Sequence, residues 1–594
     1  MRSPQCFYML MDVSQQARAF GGLKDKSLYL VCSKHVFMRT NLVSKSAFLF
    51  LLGIVILLNL TGLFNEILEP DGTLYAGLAK EIAQSGNWFN LWVYGADWLD
   101  KPHLPFWLAA MSFKVFGISA FAYKLPSFIL FFVSIYYCYK LTLVIYSKDI
   151  ARFATLIYAT ALHTIISNFD SKVEIYLVAF VTAAMYHLYK ALADKWFWHI
   201  VAAAFFTGCA IMTKGIFVLV TIAAGFVIYW VCTKQWKQFI KPKWYIFLLF
   251  SFIFILPELY ALYAQFDQHP EKIVFGKTHV SGLKFFFWDS QFGRFFNNGP
   301  ITGKGDLSFF LHTSLWAFIP WSVLLLLAVI NLFSKRTRAV ANYNRWVIGG
   351  SALVSFLMFS VSKFQLPHYI LILFPHFSMI TASYLVEAAS EKTLKKINIF
   401  QTVLFALLVA AIVWLIILYA FDHFTWFFVV MALIAAITLL YKPGFTLLAV
   451  FKKNIGFALL LAIFLNCLFY PALLTYQGGM MAGKWLNGQK ITQTVTQYRY
   501  LSSSFDFYYM GRQDYSDPDS VTVNRRAAKD PLLLFTKINE LKTINQDSAN
   551  VQVIKTFPYF HVSQVNGKFI NHKTRSTVLD TLVIALVTPK NNSK

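Results

Sequence analysis

The chain has 594 residues, of which 57% are hydrophobic, 18% aromatic and only 14% charged. A mean hydropathy of +0.55 excludes an ordinary soluble globular protein of this length, and the six cysteines show no metal-ligand or disulfide spacing. The net charge of +25 lies mainly in short basic segments between alternate apolar runs, which is typical of membrane-protein loops and argues against nucleic-acid binding. The composition therefore predicts a polytopic α-helical membrane protein.

Residues 1–45 are predicted to form a cytoplasmic N-terminal segment. The first 37 residues are mixed in character, whereas "MRTNLVSKS" from Met38 is more typical of a start directly before a membrane span. We therefore expect translation to begin near Met38. The first apolar run is long and has no small-residue cleavage site, so we expect no cleavable signal peptide.

A transmembrane domain is predicted over residues 46–476. Segment lengths and the positive-inside rule predict about thirteen transmembrane helices, with the N-terminus inside and the C-terminus outside. The predicted spans are roughly 46–64, 120–145, 152–169, 173–191, 197–213, 216–232, 244–264, 307–333, 346–361, 366–388, 399–420, 424–441 and 455–476.

The first outer loop, residues 65–118, is acidic and rich in tryptophan. Leu74, Leu78 and Ile82 recur at helical spacing, which predicts an amphipathic helix in the membrane interface rather than across it. The segment 103–117 is too short to span and is predicted to be a second interfacial helix.

Three carboxylates, Glu66, Glu69 and Asp71, follow the first span closely. Carboxylates at a lipid boundary cost free energy unless they are solvated or paired with a cation, and otherwise they indicate a functional role. Asp71 opens the first interfacial helix, so it is either a helix cap or a catalytic acid. Glu66 and Glu69 receive no role from the sequence.

A second acid, Asp170, ends the third predicted span on the same outer side. It either forms a local ion pair or helix cap beside Lys172 and Glu174, or converges with Asp71 on one site. The topology alone allows both interpretations.

Four cations are predicted to lie on this outer face. Lys101, in "DWLDKPHLPFW", is either a phosphate anchor or a snorkelling lysine. Lys214 interrupts a nearly continuous apolar run. An ionisable residue at such a position indicates a functional site. Arg294 and Lys363 fall at outer boundaries of later spans. Together they predict a basic pocket opposite the two acids.

The tail, residues 477–594, is predicted to be a small α/β domain on the outer face. "SSSFDFYYM", "NVQVIKTFPYFHVSQV" and "TLVIALVTP" are typical of strands, and "DPLLLFTKINELKTI" of an amphipathic helix. No motif in the tail indicates a chemistry.

Several motifs resemble, in the same order, those of polyprenyl-phosphate-dependent membrane glycosyltransferases of the C-type fold. The segment from "EPDGTLYAG" (69–77) to "AYKLPS" is similar to the first outer loop of that family, and "MTKG" (212–215) to a recurrent step. "FGRFFNNGP" and "SKFQLPHYILILFP" resemble later segments. The likeness covers roughly residues 45–390. The most similar branches are the lipid A aminoarabinose transferases and protein O-mannosyltransferases, families 83 and 39.

The resemblance implies residue roles. Asp71 matches the acid that acts at the acceptor, Asp170 the acid of the second outer loop, and Lys101 the lysine that contacts the lipid phosphate. Further phosphate-cavity positions match Lys214, Arg294 and Tyr369, and we add Lys363 to this set.

The chain differs from many relatives at two positions where a metal has been proposed to bind. Many relatives have Glu before the Lys-Pro step, where this chain has Asp100, and His where it has Gln291. The sequence requires no cofactor. A divalent metal is left open, with Asp100, His103 and His279 as its ligands.

The resemblance implies transfer of a hexose or pentose from a polyprenyl phosphate such as undecaprenyl phosphate to an extracytoplasmic acceptor, with inversion. The acceptor is lipid A, a protein hydroxyl or an envelope glycan, and the other partners are membrane lipids. The expected location is a bacterial inner membrane, with the N-terminus cytoplasmic and the C-terminal domain periplasmic. The alternative is a polytopic lipid or polysaccharide transporter or flippase, for which we find no convincing internal repeat.

Overall fold

The computed structural model describes residues 43–193, 195–332, 343–421, 425–440, 444, 446–489, 491, 493–544 and 549–589. The predicted start near Met38 lies outside these residues.

Apolar helices follow one another along the membrane domain, and each predicted span falls on one helix or on a short succession of helices. Their bounds are Lys45–Leu60, Ala120–Ile145, Lys148–Thr160, Leu162–Asp170, Val173–Lys190, Trp196–Lys214, Val218–Cys232, Pro242–Phe254, Leu256–Leu262, Phe309–Ala317, Ser322–Leu332, Trp346–Val361, Phe374–Ser383, Glu391–Tyr419, Trp426–Leu440 and Leu447–Ile463. Shorter 3₁₀ or π turns extend several of them, including Thr61–Phe64, Tyr263–Asp267, Pro367–Leu373, Tyr384–Ala388 and Phe464–Phe469.

Six helices within the described residues are long and apolar enough to cross a membrane, or up to eight if each of two bent pairs is one span. Five further apolar helices have 10–17 residues. The chain is thus a multi-pass helical membrane protein, while the number of thirteen crossings stays a prediction.

One of the bent pairs places an acid of the candidate site. The helices Lys148–Thr160 and Leu162–Asp170 meet at an angle of 55°. At the break the Leu162 N–H donates to the Ile319 carbonyl at 2.8 Å, so a backbone group that leaves the helix regains a partner. The second helix of the pair ends at Asp170.

The first outer loop contains the two predicted helices, Asp71–Ser85 and Leu104–Phe116. A short antiparallel hairpin between them pairs β1 (Trp92–Val93) with β2 (Ala96–Asp97). Leu78 and Ile82 pack in one core with the second helix, as their spacing predicts. Helix formation at both places is confirmed, and their position in the membrane interface stays a prediction.

The tail contains a five-stranded sheet in the order β4-β3-β5-β7-β6. Its strands are β3 (Val495–Gln497), β4 (Gln513–Asp514), β5 (Leu532–Lys537), β6 (Ala549–Tyr559) and β7 (Asp580–Pro589). The pairs that include β3 are parallel, and those that include β7 are antiparallel. The accompanying helices are Gly478–Gly488, Ser503–Tyr508, Ser520–Ala527 and Gly567–Ile570.

Two predictions for the tail are wrong. "DPLLLFTK" forms the strand β5, because a continuous apolar run suits a central strand that is buried on both faces. "SSSFDFYYM" contains the helix Ser503–Tyr508, because the Ser502 hydroxyl caps it by accepting from the Phe505 N–H at 3.2 Å. The predicted strands over β6 and β7 are present.

The tail packs against the first outer loop through the loop's charged residues. Lys484 and the Tyr508 hydroxyl both contact the Glu66 carboxylate, and the Ser504 hydroxyl donates to Glu69 at 2.5 Å. The Lys80 ammonium donates to the carbonyls of residues 506, 507 and 509 at 2.6, 3.1 and 2.6 Å. Glu66 and Glu69 therefore have a structural role, which is to hold the tail.

Candidate active site

A cavity of about 120 Å³ lies where the first outer loop meets several membrane helices. Three of the four predicted cations, Lys101, Lys214 and Arg294, line it. Tyr369 lines it as well, so four of the five residues predicted to bind the lipid phosphate meet here. The remaining residues of the wall are largely apolar.

Lys363, the remaining predicted cation, does not line the cavity. Its neighbours Ser362 and Phe364 do, while the Lys363 side chain is exposed. The Lys363 N–H donates to the Phe295 carbonyl at 3.1 Å, so this residue contributes a backbone contact. The structure therefore does not bring the Lys363 side chain together with the other three cations, because adjacent residues of an extended segment point in opposite directions.

Asp100 pairs with two of the cavity cations. Its carboxylate lies 2.8 Å from the Lys101 ammonium and also contacts the Arg294 guanidinium. Burial alone would raise the pKa of Asp100, but the two cations outweigh it and hold the pKa below its usual value. The carboxylate therefore stays ionised and fixes both cations.

Glu174 is the partner of the third cation. Only 1% of its side chain is exposed, and it contacts the Lys214 ammonium and lies 3.8 Å from His368 Nε2. The Lys214 ammonium also lies 3.6 Å from the centroid of the Tyr369 ring. From the sequence Glu174 was considered only as a neighbour of Asp170, and its place at the start of a buried helix was the signal that could have identified it.

The two predicted acids meet at one lysine. Lys172 Nζ lies 3.0 Å from Asp170 Oδ2 and 3.6 Å from Asp71 Oδ2. Asp71 does not cap its helix, because the N-cap residue is Pro70 and no side chain supplies a cap hydrogen bond. About half of the Asp71 side chain, 52%, is exposed, so this carboxylate is accessible to an incoming group.

Tyr75 connects the acids to the cavity. Burial raises the pKa of its hydroxyl well above the usual value, and the charges of Asp71, Asp100 and Glu174 raise it further. The Tyr75 hydroxyl is thus within electrostatic range of Asp71 and of both cavity carboxylates. Nothing in the sequence indicated Tyr75 beyond its place in the first interfacial helix.

The Lys-Pro step is held by a buried pair. Glu258 and His103 are both fully buried, and the carboxylate accepts from the His103 backbone N–H at 2.9 Å and lies 3.0 Å from His103 Nδ1. His103 Nε2 lies 3.1 Å from the Phe89 carbonyl. Glu258 thereby fixes the backbone two residues after Lys101.

The proposed metal ligands do not form a metal site. Both ring nitrogens of His103 have protein partners, Asp100 is engaged by two cations, and the exposed His279 contacts Thr278 at 3.1 Å. Within the described part of the chain, no group of three His, Cys, Asp or Glu side chains is arranged to hold a metal. The donor set therefore does not fit the metal that the resemblance left open.

The contact between Gln291 and Gly215 accounts for the glycine of the motif "MTKG". The Gln291 amide donates to the Lys214 carbonyl at 3.3 Å and lies directly against Gly215, where an added Cβ would overlap it. Gly215 also has a φ of +99°, which side-chain-bearing residues rarely adopt. The glycine of "MTKG" thus lets Gln291 cover the end of the helix that carries Lys214.

The chain is similar in sequence and in fold to known membrane transferases. Residues 100–260 match the family model of the dolichyl-phosphate-mannose-protein mannosyltransferases. The chain is 26% identical over 389 residues to an undecaprenyl phosphate-α-4-amino-4-deoxy-L-arabinose arabinosyl transferase of Proteus mirabilis, covering 64% of this chain and 67% of that one. It is 21% identical to the corresponding transferase of an Enterobacter species, covering 62% and 64%. The matches thus span about two thirds of these relatives.

A solved structure has the same fold. ArnT from Cupriavidus metallidurans bound to undecaprenyl phosphate superposes with a TM-score of 0.69, over 91% of this chain and 98% of that one, at 16% identity. Together the likenesses confirm the class predicted from the motifs. The chain has the C-type fold, and over about two thirds of its length it is similar to polyprenyl-phosphate-dependent membrane glycosyltransferases.

Proposed function

We propose that the chain transfers a sugar from a polyprenyl-phosphate donor to an acceptor on the outer side of a bacterial inner membrane, with its N-terminus cytoplasmic and its tail domain periplasmic. The observation that carries the proposal is the meeting of Lys101, Lys214 and Arg294 in one cavity, together with the convergence of the acids Asp71 and Asp170 on Lys172. The undecaprenyl-phosphate transferases among its relatives support this donor.

The charges of the cavity suit a lipid phosphate. Lys101, Lys214 and Arg294 are paired with only two carboxylates, those of Asp100 and Glu174, so these five residues carry one net positive charge. An arriving phosphate supplies the missing negative charge and gains charge-assisted hydrogen bonds. The same cations stabilise the phosphate as it leaves, which is where charge develops in the transition state.

Asp71 is the candidate base for a hydroxyl acceptor. The acceptor oxygen attacks the anomeric carbon, the bond from that carbon to the phosphate oxygen breaks, and Asp71 takes the hydroxyl proton. Polyprenyl phosphate leaves with the bonding electron pair. A single displacement of this kind inverts the anomeric centre. Asp170 and Lys172 orient Asp71 through the shared ion pair.

The donor sugar is a pentose or hexose, and the names of the relatives favour a pentose such as aminoarabinose. The acceptor that we propose is lipid A, a protein hydroxyl or an envelope glycan. The comparisons give the transporter alternative no support.

The test is donor turnover by the purified protein. A panel of undecaprenyl-phosphate sugars is incubated with candidate acceptors, and release of free undecaprenyl phosphate is measured. We expect release with at least one donor, and loss of about 10²–10⁴-fold in rate for Asp71→Asn. Asp519→Asn is the matched control, because Asp519 caps a tail helix through the Thr522 N–H at 2.7 Å. Near-normal turnover by Asp71→Asn, or none by the natural chain, would overturn the proposal.

A further inference from the structure

A second cavity, of about 460 Å³, lies outside the donor site. Three elements form it: the helix Asp71–Ser85, the hairpin of β1 and β2, and residues 506–515 of the tail. The volume lies within the usual range of about 300–1,000 Å³ for small-molecule sites. The tail therefore does more than cover the outer loop, because the two together enclose a cleft.

The aromatic side chains of the cleft are held in place. Trp92 Nε1 donates to Asp97 Oδ1 at 3.2 Å, which fixes the indole on the hairpin. The rings of Tyr94 and Tyr515 lie 5.8 Å apart, and the Tyr515 hydroxyl donates to Asp506. Fixed aromatic faces beside polar groups are suited to a ring-shaped ligand that has an apolar face and a hydroxylated rim.

Polar side chains line the rest of the cleft. Glu81 and Gln84 are exposed, and within the described part of the chain their side chains form no hydrogen bond or ion pair. Asp506 approaches the helix at Gly77, where a built Cβ would lie 2.9 Å from its Oδ2. Carboxylate and amide groups of this kind recognise hydroxyls through hydrogen bonds.

The charge of the cleft is opposite to that of the donor cavity. The Lys80 ammonium has three donors, and all three are used by backbone carbonyls of the tail. The carboxylates of Glu81 and Asp506 are then the charges available to a ligand. Burial raises the pKa of both carboxyl groups. The cleft therefore disfavours phosphate and favours an uncharged ligand.

The position of the cleft separates it from bond formation. Its helix residues begin with Gly77 and end with Gln84, 6 to 13 residues after Asp71. At 1.5 Å per residue they lie about 9–20 Å along the helix from Asp71, and mostly on its opposite face. A ligand in the cleft is thus not the group that reacts.

We propose that this cleft is a carbohydrate-binding site that holds a neutral saccharide unit of the acceptor, at a distance from the reacting hydroxyl. That the bound saccharide belongs to the acceptor rests on the proposed function. That the cleft binds a saccharide rests on the cleft itself. It assigns Trp92, Tyr94 and Tyr515 to the sugar faces and Glu81 and Gln84 to its hydroxyls. Of the three acceptor classes, it favours those that carry a glycan.

The test measures binding without the donor. Saturation-transfer NMR on the purified full chain uses neutral gluco-, galacto- and manno-configured di- to tetrasaccharides, with glucose 1-phosphate as the anionic probe. We expect saturable binding of at least one neutral saccharide that is sensitive to a substitution in the cleft, and no glucose 1-phosphate signal that is sensitive to the same substitution, since glucose 1-phosphate bound in the donor cavity would not respond to it. Gln84→Trp fills the cleft, and we expect it to weaken binding by at least about tenfold.

The matched control is Gln552→Trp, which places the same side chain on an exposed residue of β6 outside the cleft, with binding unchanged. Glu81→Gln keeps a hydrogen-bonding group and tests the role of the charge. The proposal is overturned if the natural chain binds no neutral saccharide, if Gln84→Trp binds the saccharide normally, or if Gln84→Trp weakens glucose 1-phosphate as much as the neutral saccharide. Asp71→Asn should bind saccharide normally even though it fails in transfer, so failure of the cleft and failure of the proposed function are separate outcomes.

Discussion

At the scale of single residues, the donor cavity is a network of paired charges before any donor arrives. Asp100 holds Lys101 and Arg294, and Glu174 holds Lys214. Burial lowers the pKa of the Lys101 ammonium, while the Asp100 carboxylate acts in the opposite direction. These acids hold the cations oriented in an apolar wall, so the phosphate that we propose would bind with little reorganisation.

Lys101 and Lys363 give a matched pair of variants for this network. We expect Lys101→Ala to raise the KM for the donor by about 10- to 150-fold, because a hydrogen bond to a charged group contributes about 1.5–3 kcal/mol. Lys363→Ala removes an exposed cation outside the cavity and should leave the donor KM unchanged. Donor titrations in the polyprenyl-phosphate release assay measure both. Equal effects of the two substitutions would contradict the assignment of Lys101 to the phosphate site.

The sequence predicted the cations of the site better than their partners. Lys101, Lys214 and Arg294 are conspicuous because a cation in or beside an apolar run is costly and therefore informative. Glu174 lies only two residues from Lys172 in the chain, so a local pair was the simpler interpretation. Its partner is Lys214, 40 residues further on, and contacts of that range depend on how helices pack. Lys363 lies outside the cavity for a more local reason, since the direction of its side chain depends on the backbone of its segment.

At the scale of elements, the Lys-Pro step depends on a helix that is remote in the chain. Glu258, at the start of the helix Leu256–Leu262, accepts from the His103 backbone N–H across 155 residues. Both side chains are fully buried, so no water replaces a lost partner. The contact fixes the loop that carries Lys101 to the membrane helices.

Glu258→Ala should therefore lower both stability and donor affinity. It leaves the His103 N–H and ring nitrogen unsatisfied, at a cost of about 1–3 kcal/mol for each buried group. Thermal unfolding and the donor KM measure the two effects, and Glu258→Gln, which retains an acceptor oxygen, should restore much of both. The control is Glu271→Ala, which breaks an exposed His–Glu contact of the same 3.0 Å length and should change little. An unchanged donor KM in Glu258→Ala would limit Glu258 to stability.

Elements were predicted well where periodicity and length agree, and poorly in short apolar runs. The strands β6 and β7 and both helices of the first outer loop lie where the patterns placed them. The run "LLLF" in β5 is compatible with either a buried strand or a buried helix by its pattern alone. Its pairing with β3 and β7 decides the outcome, and the sequence pattern does not contain that information.

At the scale of the whole molecule, the acids that follow the first span bind the first outer loop to the tail domain. Glu69 is buried against the tail, where its Oε2 accepts from Ser504 and its backbone N–H donates to Gln477 at 2.7 Å. Burial raises the pKa of this carboxyl to about 7, although the Ser504 hydroxyl acts to lower it. The tail is therefore held by a group that titrates close to neutral pH.

This raised pKa makes the docking of the tail depend on pH. The folded protein binds the proton more tightly than the unfolded chain, so stability falls as the pH rises from about 4.5 to 7, by up to about 1.4 kcal/mol per pH unit, and is constant above that range. The nearby Tyr94, Tyr500 and Tyr559 have pKa values raised by burial and stay neutral throughout. Glu69→Gln removes the titration.

We expect Glu69→Gln to match the natural chain in thermal unfolding near pH 5 and to exceed it near pH 8. Limited proteolysis of the tail should show the same order. Glu540→Gln, in the tail but away from Glu69, should follow the natural chain at both values. Parallel pH profiles of Glu69→Gln and the natural chain would show that Glu69 is ionised in the folded protein at all pH values tested.

The three hydrogen bonds of Lys80 also bear on how the protein is made. Lys80 and its first carbonyl partner are 426 residues apart in the chain. At a synthesis rate of about 5–20 residues per second, the first outer loop is made roughly 20–90 s before its partner in the tail. During that interval Glu66, Glu69 and the helix Asp71–Ser85 with Lys80 lack the tail surface that contacts them. The hydrogen bonds of Lys80 thus form only once the chain has been made as far as residue 509, and chains cut short before the tail leave a charged helix uncovered.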